Sequence, residues 1–146
     1  MRIEVLEVTT EAEAAACFRV MHQLRPHLDE ATFLAMWRRM TGSGYRLTCV
    51  REDGQVRAVA GWRLIEMLHT GLHLYVDDLI THGEERSRGH GARLLGWLRE
   101  RARTEGCRTL ELDSGTHRTR AHRFYFREGM HISSFHFRQE LPLGAR

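Results

Sequence analysis

The sequence predicts an α+β fold in which a mixed sheet carries helices on its faces. The 146 residues are 42% hydrophobic and 28% charged, with only two prolines, a composition typical of one globular domain, which we expect to span residues 1–146. Apolar residues follow a helical period near the N-terminus and then alternate as in strands. The predicted order is β-α-α-β-β-β-α-β-α-β, a meander followed by a strand-loop-helix-strand unit.

The first three elements are a strand and two helices. Residues 2–8 alternate as a strand does. Thr10 and Glu13 have the spacing of a capping box, which begins the first helix, and Pro26 ends it. This helix has one apolar stripe, made of Ala14, Cys17, Phe18, Met21 and Leu24. A second helix begins at Asp29, ends at Gly42 and turns four apolar residues inward: Phe33, Met36, Trp37 and Met40.

The middle of the chain predicts an antiparallel meander. Residues 45–51 and 56–67 alternate as strands, and the Asp53-Gly54 pair between them is a hairpin signal. A turn over residues 69–71 leads to a third strand, residues 72–81.

The remaining elements alternate between helix and strand. A glycine-punctuated loop covers residues 81–91, and the helix after it extends to about Thr104 with a continuous apolar face. Residues 107–112 form a short strand, and residues 118–128 a short helix closed by Gly129. A final strand is predicted over residues 135–141.

Missing residue types exclude several kinds of chemistry. The chain has no lysine and no asparagine, which excludes Schiff-base catalysis, a P-loop and an asparagine-assisted Cys-His site. Its three cysteines include no C-x-x-C pair, so neither a disulfide framework nor a four-cysteine zinc site is expected. The net charge of +3 suits a phosphorylated ligand. No export or membrane-spanning segment is indicated, and we expect a cytoplasmic protein.

The loop before the third predicted helix has the features of a phosphate site. Arg86-x-x-Gly89-x-Gly91 follows a strand and opens a helix, so several backbone N–H groups converge where the helix dipole favours negative charge. Glycines there let a phosphate approach the main chain closely. A dinucleotide-binding motif would need a glycine at residue 94, which is leucine. The two glycines could also simply shape a tight turn.

Two separate segments resemble the GNAT superfamily of acyl-CoA-dependent N-acetyltransferases. Arg86-x-x-Gly89-x-Gly91-Ala92, after the strand that ends Leu79-Ile80-Thr81, is similar to the acyl-CoA-binding motif of that family. Residues 121–130, AHRFYFREGM, resemble its A-x-x-F-Y-x-x-x-G-F/M helix. The resemblance implies the GNAT fold, in which two central strands splay apart, and an enzyme that transfers an acetyl group from acetyl-CoA to an amine.

The resemblance also implies roles for individual residues. The backbone from Arg86 to Gly91 would hold the pyrophosphate of coenzyme A, and Leu79–Thr81 would pair with its pantetheine arm. Tyr125 would protonate the departing thiolate. At Arg118 the family often has asparagine, which puts one contact to the cofactor arm in doubt. The cofactor-binding residues expected on this basis are Leu79, Ile80, Thr81, Arg86, Ser87, Arg88, Gly89, His90, Gly91, Ala92, Arg118 and Phe124.

The chemistry of amine acetylation requires a base. Asp77 and Asp78 are the leading carboxylates, with Glu66 on the preceding strand as a further candidate. Because adjacent strand residues face opposite sides of a sheet, we expect only one aspartate to face the substrate. An aspartate there favours a cationic small-molecule amine. His73 and Tyr75 could line its pocket, as could the segment Arg25–Leu28, where an arginine could instead bind a substrate carboxylate.

Other functions remain alternatives. Six arginines around one helix allow a basic nucleic-acid-binding module, although the helix also has an apolar face and interleaved glutamates. A non-catalytic acyl-CoA sensor on the same fold is a third hypothesis. The histidine spacings do not predict a metal site, because neither His117 and His122 nor His131 and His136 share a face. A homodimer is common in the family, but no residue here requires one.

Overall fold

The computed structural model describes residues 1–83 and 88–144. These residues divide into two compact units, Met1–Leu112 and a second that begins at Asp113. The single-domain organisation stays a prediction.

The first unit contains one five-stranded sheet and three helices. In chain order these are β1 (Ile3–Glu7), α1 (Glu11–Leu24), α2 (Glu30–Thr41), β2 (Arg46–Glu52), β3 (Gln55–Met67), β4 (Gly71–Thr81), α3 (His90–Thr104) and β5 (Thr109–Leu112). The strands lie in the order β1-β2-β3-β4-β5. The first four are antiparallel to their neighbours, and β5 is parallel to β4. This mixed sheet is the arrangement that the sequence predicted.

The helices cover both faces of the sheet. Val59 of β3 packs in a cluster of buried residues with Cys17 of α1 and Phe33 of α2. Trp62, three residues later, lies on the opposite face, with its ring centroid 6.0 Å from that of Trp97 in α3. The predicted helix starts are confirmed at α1 and α2: Thr10 and Glu13 form a capping box, and Asp29 accepts a hydrogen bond from the Thr32 N–H.

The parallel ladder between β4 and β5 is short. It runs from His73 opposite Thr109 to Val76 opposite Leu112. Strand β4 continues to Thr81, so within the described residues its last part has a partner strand only on the β3 side. The other edge of residues 78–81 is therefore not paired with a strand of the described chain.

The second unit contains the helix α4 (Thr119–Arg127). Gly129 follows it with a φ of +89°, a left-handed conformation that ends the helix as predicted. The strand predicted over residues 135–141 is wrong, because the structure gives residues 131–144 neither helix nor strand. Phe135, Phe137 and Leu141 are exposed there. Alternating apolar residues fit a strand, but a strand also needs a neighbour for its backbone N–H and C=O groups, and the pattern does not supply one.

Candidate active site at the β4 bulge

The two aspartates of β4 lie on the same face of the sheet because the strand carries a bulge between them. Asp78 is opposite Gly61 of β3, whereas Trp62 is opposite Val76. Asp77 is therefore an extra residue on β4, and such a residue interrupts the alternation of side chains. The alternation on which the prediction was based is therefore interrupted at this pair, while the prediction that only one aspartate faces the substrate stays a prediction.

Asp78 accepts hydrogen bonds from two side chains of other elements. The Tyr45 hydroxyl donates to Oδ2 at 2.8 Å, and Arg25 Nε donates to Oδ1 at 3.0 Å. Arg25 Nη2 lies 3.0 Å from the same Oδ1. The Asp78 side chain is 13% exposed, so these contacts hold a nearly buried carboxylate in one orientation.

Asp77 forms a separate, bidentate ion pair with Arg63 of β3. Arg63 Nε lies 3.0 Å from Oδ1 and Nη2 lies 2.5 Å from Oδ2. Burial raises the pKa of the Asp77 carboxyl above its usual value, and the hydrogen bonds and charge of Arg63 oppose that rise. The Arg63 guanidinium also lies 5.6 Å from the centroid of the Tyr45 ring, which is the distance of a cation–π contact.

These five side chains form one network, which we call the aspartate network: Arg25, Tyr45, Arg63, Asp77 and Asp78. It contains two carboxylates and two guanidinium groups, so its formal charges balance. Burial, more than the Asp78 charge, raises the pKa of the Tyr45 hydroxyl well above its usual value near 10. Tyr45 therefore stays protonated and donates to Asp78 over the whole neutral range.

Gly61 makes room for this network. A Cβ on Gly61 would overlap the Tyr45 hydroxyl and come within 2.5 Å of Asp78 Oδ2. Since no real contact is that short, any other residue would separate Tyr45 from Asp78 or displace both.

A cavity of about 310 Å³ opens onto Asp78 from the side of α1 and α2. Its wall is mostly apolar, and its lining residues are Met21, Arg25, His27, Leu28, Phe33, Met36, Trp37, Met40, Tyr45 and Asp78. Such a cavity, with a few polar groups at one end, is the usual form of a small-molecule site. Asp77 is not part of the lining, so the cavity wall contains one aspartate of the pair.

The structure does not bring the other predicted acceptor residues to this cavity. Glu66 is exposed and pairs with Leu72, six residues before Asp78 on β4, which places it roughly 20 Å away along the strand. His73 is buried, and its Nδ1 lies 3.2 Å from Thr70 Oγ1. Its ring is at right angles to that of Tyr75, with the centroids 6.4 Å apart, so both pack within the sheet.

The start of α3 offers backbone donors. Gly89 precedes the helix with a φ of +83°, and no side chain among the described residues caps it. A Cβ on Gly89 would meet no atom of the described chain within 4 Å. The N–H groups of His90, Gly91 and Ala92 therefore begin the helix next to open space, where a helix favours an anion. Arg88 lies beside them, and the predicted residues Arg86 and Ser87 lie outside the described residues.

Leu79, Ile80 and Thr81 form the end of β4. All three pair with β3, opposite Ala60, Val59 and Ala58. Ile80 also packs against the buried cluster under α1 and α2, which anchors this strand end although it has no β5 partner. Its outer edge fits the predicted pairing with an extended ligand arm.

In the second unit, Tyr125, Phe124 and Arg118 lie together on α4 and at its start. The rings of Phe124 and Tyr125 have centroids 5.5 Å apart. Burial raises the pKa of the Tyr125 hydroxyl, while the charge of Arg118 and its hydrogen bond to that hydroxyl oppose the rise. Tyr125 is therefore a protonated phenol at neutral pH, as a general acid must be.

Sequence reasoning did not find Tyr45, Arg63 or Gly61. Tyr45 and Asp78 are 33 residues apart, and Arg63 and Asp77 are 14 apart, so no local spacing connects them. One signal was present: a glycine inside a strand often marks a close approach or a bulge, and Gly61 lies opposite the bulge.

Residues 1–83 and 88–144 contain no group of three or more histidine, cysteine, aspartate or glutamate side chains that could hold a metal ion. No helix within these ranges is long and apolar enough to cross a membrane.

Comparison with known proteins gives a consistent family. Residues 8–130 match the model of the acetyltransferase (GNAT) family. A Bacillus subtilis (strain 168) protein described as the uncharacterized N-acetyltransferase YhdJ is 34% identical over 139 residues, which cover 94% of this chain and 98% of that protein.

Two relatives have stated substrates. The aminoalkylphosphonate N-acetyltransferase of Salmonella typhimurium (strain LT2) is 36% identical over 81 residues, covering 51% of this chain and 53% of that protein. The structure of the aminoglycoside N-acetyltransferase AAC(6')-Iy in complex with CoA superposes with a TM-score of 0.84 at 12% identity, covering 96% of this chain and 95% of that one. At that identity the likeness concerns the fold.

Proposed function

The chain belongs to the GNAT family of acetyltransferases and is an N-acetyltransferase, and from this premise we propose that it acetylates the amine of a small molecule by direct attack on acetyl-CoA. One observation carries the proposal: Asp78, oriented by two donors, lies in the wall of a mostly apolar cavity and on the part of β4 that β5 does not pair with. The relative named as an aminoalkylphosphonate N-acetyltransferase supports an amine of small-molecule size.

The residues at the start of α3 fit acetyl-CoA. The N–H groups of the first turn, which no side chain of the described residues caps, and the positive φ of Gly89 suit a diphosphate. A Cβ on Gly89 would meet no described atom within 4 Å. We assign the pyrophosphate to the backbone of residues 88–92, together with the neighbouring Arg86 and Ser87, and the pantetheine arm to the outer edge of Leu79–Thr81, with Arg118 and Phe124 as further contacts. When bound, acetyl-CoA supplies a thioester whose carbonyl carbon accepts the amine nitrogen.

Asp78 is the base in this mechanism. An amine of pKa near 10 is only ~0.1% neutral at pH 7, which costs about 4 kcal/mol unless its proton is removed. The Asp78 carboxylate accepts that proton, directly or through a water. Asp77 acts as a positioning residue, because it holds Arg63 against the ring of Tyr45.

The later steps fall to β4 and Tyr125. Backbone N–H groups on the outer edge of β4 stabilise the negative charge that develops on the carbonyl oxygen, which is typically worth about 3–4 kcal/mol per donor. Tyr125 donates its phenolic proton to the thiolate as it leaves. The second proton, which the amine nitrogen releases as the amide forms, returns through water to the Tyr125 phenolate, and the amide and the free thiol are the products.

The decisive experiment is an acetylation screen over a panel of amines that detects the free thiol of coenzyme A. Calorimetry with acetyl-CoA runs beside it. We expect micromolar binding of acetyl-CoA and thiol release that depends on an amine. Acetyl-CoA binding without turnover of any amine would support the non-catalytic sensor. Salt-sensitive DNA binding without acetyl-CoA binding would support the nucleic-acid alternative.

A further inference from the structure

We propose that the acceptor is a hydrophobic monoamine: one primary amine on an apolar body, with no second charged group. This inference rests on the proposed function and specifies its substrate class. It follows from the chemistry of the cavity between α1, α2 and β4.

The cavity wall is mostly apolar. Five of its lining side chains have no N–H or O–H group: Met21, Leu28, Phe33, Met36 and Met40. Trp37 adds an aromatic ring with one indole N–H, and His27 adds an imidazole. An apolar body buried among the five apolar side chains is removed from water at no cost in hydrogen bonds, whereas a charged group placed there loses its hydration.

The charged side chains near Asp78 already form hydrogen bonds with one another. Arg25 donates to Asp78 Oδ1 and, at 3.1 Å, to the Asp77 backbone oxygen. Asp77 is held by Arg63. Among the residues that the structure describes, Asp78 is the only carboxylate in the cavity wall. Its two oxygens accept more hydrogen bonds than Tyr45 and Arg25 supply, so it has room for one ammonium group.

The same geometry disfavours other amines. A diamine would place its second ammonium among methionine and aromatic side chains without a carboxylate. An amine with a carboxylate or phosphonate would bring that anion next to the Asp78 carboxylate if it bound Arg25, because Arg25 Nε donates to Asp78 and Nη2 donates to the Asp77 backbone oxygen. The volume of about 310 Å³ is at the lower end of the range for ligand sites, which also disfavours a multi-ring aminoglycoside.

The test compares three amines of equal chain length on the wild-type protein: hexylamine, 1,6-diaminohexane and 6-aminohexanoate. Thiol release gives kcat/KM, and calorimetry gives the affinity of each amine whether or not it turns over. We expect hexylamine to be preferred at least about 100-fold by both measures. Equal or reversed preference, or no binding of hexylamine, would overturn the inference. If 1,6-diaminohexane or 6-aminohexanoate turned over instead, the inference about the substrate would fail while the proposed acetyltransferase function would stand. If no amine turned over, the proposed function itself would fail.

A charge placed in the wall should alter the preference. Met36 is a half-buried lining residue of α2, and Ala31 is exposed on the same helix outside the cavity. Met36→Glu should improve 1,6-diaminohexane relative to hexylamine at least tenfold, and Ala31→Glu, which adds the same charge, should leave the ratio unchanged. Thermal melts verify that both variants fold. The same shift in both variants would contradict the assignment of this cavity as the acceptor site.

Discussion

The two ends of the proposed site are built from different parts of the chain. At the acceptor end, five side chains from four parts of the fold are connected by hydrogen bonds of 2.5–3.1 Å, and the Asp78 carboxylate accepts two of these side chains as donors. At the start of α3, the groups that face open space are backbone N–H groups, and no side chain within the described ranges caps them.

This difference determines which substitutions should matter at each end. The acceptor end depends on side-chain chemistry, so isosteric changes that remove one polar atom should damage it. The cofactor end depends on backbone conformation and on the absence of a Cβ. There, only a change in main-chain geometry or space should have a large effect.

Asp78→Asn breaks the acceptor end most directly. The amide has the same shape but cannot take up the amine proton, so we expect kcat/KM for the amine to fall by about 10²–10⁴. Affinity for acetyl-CoA, measured by calorimetry, should not change. Glu66→Gln is the matched control, because Glu66 is exposed at the far end of the hairpin. A fall with Glu66→Gln and none with Asp78→Asn would transfer the role of base to Glu66.

Gly89→Val tests the cofactor end. Valine at a φ of +83° is strained by about 1–3 kcal/mol, and its branched side chain would occupy the space assigned to the pyrophosphate. We expect acetyl-CoA affinity to fall at least about 100-fold while the protein stays folded.

Gly106→Val supplies the control for that prediction. Gly106 follows the other end of α3 with a φ of +77°, and a Cβ there also meets no described atom within 4 Å. Both valine variants should lose similar stability in thermal melts, but only Gly89→Val should lose affinity. Equal affinities in the two variants would remove the start of α3 from the cofactor site.

The helix start at the proposed cofactor end could be predicted from the sequence because its signals are local. Arg86, Gly89 and Gly91 lie within six consecutive positions, and a loop that opens a helix needs no distant partner to present its N–H groups. The helix caps at Thr10 and Asp29 and the hairpin at Asp53-Gly54 were predictable for the same reason.

The acceptor end could be predicted only in part. Asp77 and Asp78 stood out as a carboxylate pair, but their common face depends on a bulge set by the register of β4 against β3. Alternation along one strand contains no information about that register. Tyr45 and Arg63 become important only when the sheet brings them to the bulge. The prediction of a final strand was wrong for a similar reason, because residues 135–141 alone do not determine whether another strand pairs with them.

Tyr125→Phe tests the proposed general acid, which lies on α4. We expect turnover to fall by about 10–100-fold with little change in acetyl-CoA affinity, because the phenol acts only on the departing thiolate. Burial raises the pKa of Tyr125, and an acid must be protonated to act. The wild-type kcat should therefore stay level up to about pH 10 before it falls, as a pH–rate profile would show. Full activity in the phenylalanine variant would exclude Tyr125 as the acid.

Tyr45→Phe should have the smallest effect. It measures how much kcat/KM for the amine depends on the orientation of the Asp78 carboxylate. The substitution removes one donor to a charged group, which is worth about 1.5–3 kcal/mol, while Arg25 still holds Asp78. We expect kcat/KM for the amine to fall about tenfold and acetyl-CoA affinity to stay the same. Gly61→Ala, which pushes the Tyr45 hydroxyl from Asp78, should reproduce this loss with the hydroxyl present.

The pH dependence of stability distinguishes an orienting hydroxyl from a mere packing contact. Because the pKa of Tyr45 is raised in the folded state, its contribution is complete below the pKa of an unfolded tyrosine, about 10. Above that pH the unfolded phenol ionises while the folded one does not, so the contribution declines. In denaturant melts, the stability gap between wild type and Tyr45→Phe should be constant from pH 6 to about 9 and narrow above pH 10. If the difference in unfolding free energy between wild type and Tyr45→Phe did not change with pH, the hydroxyl would not be held by Asp78 in a buried site.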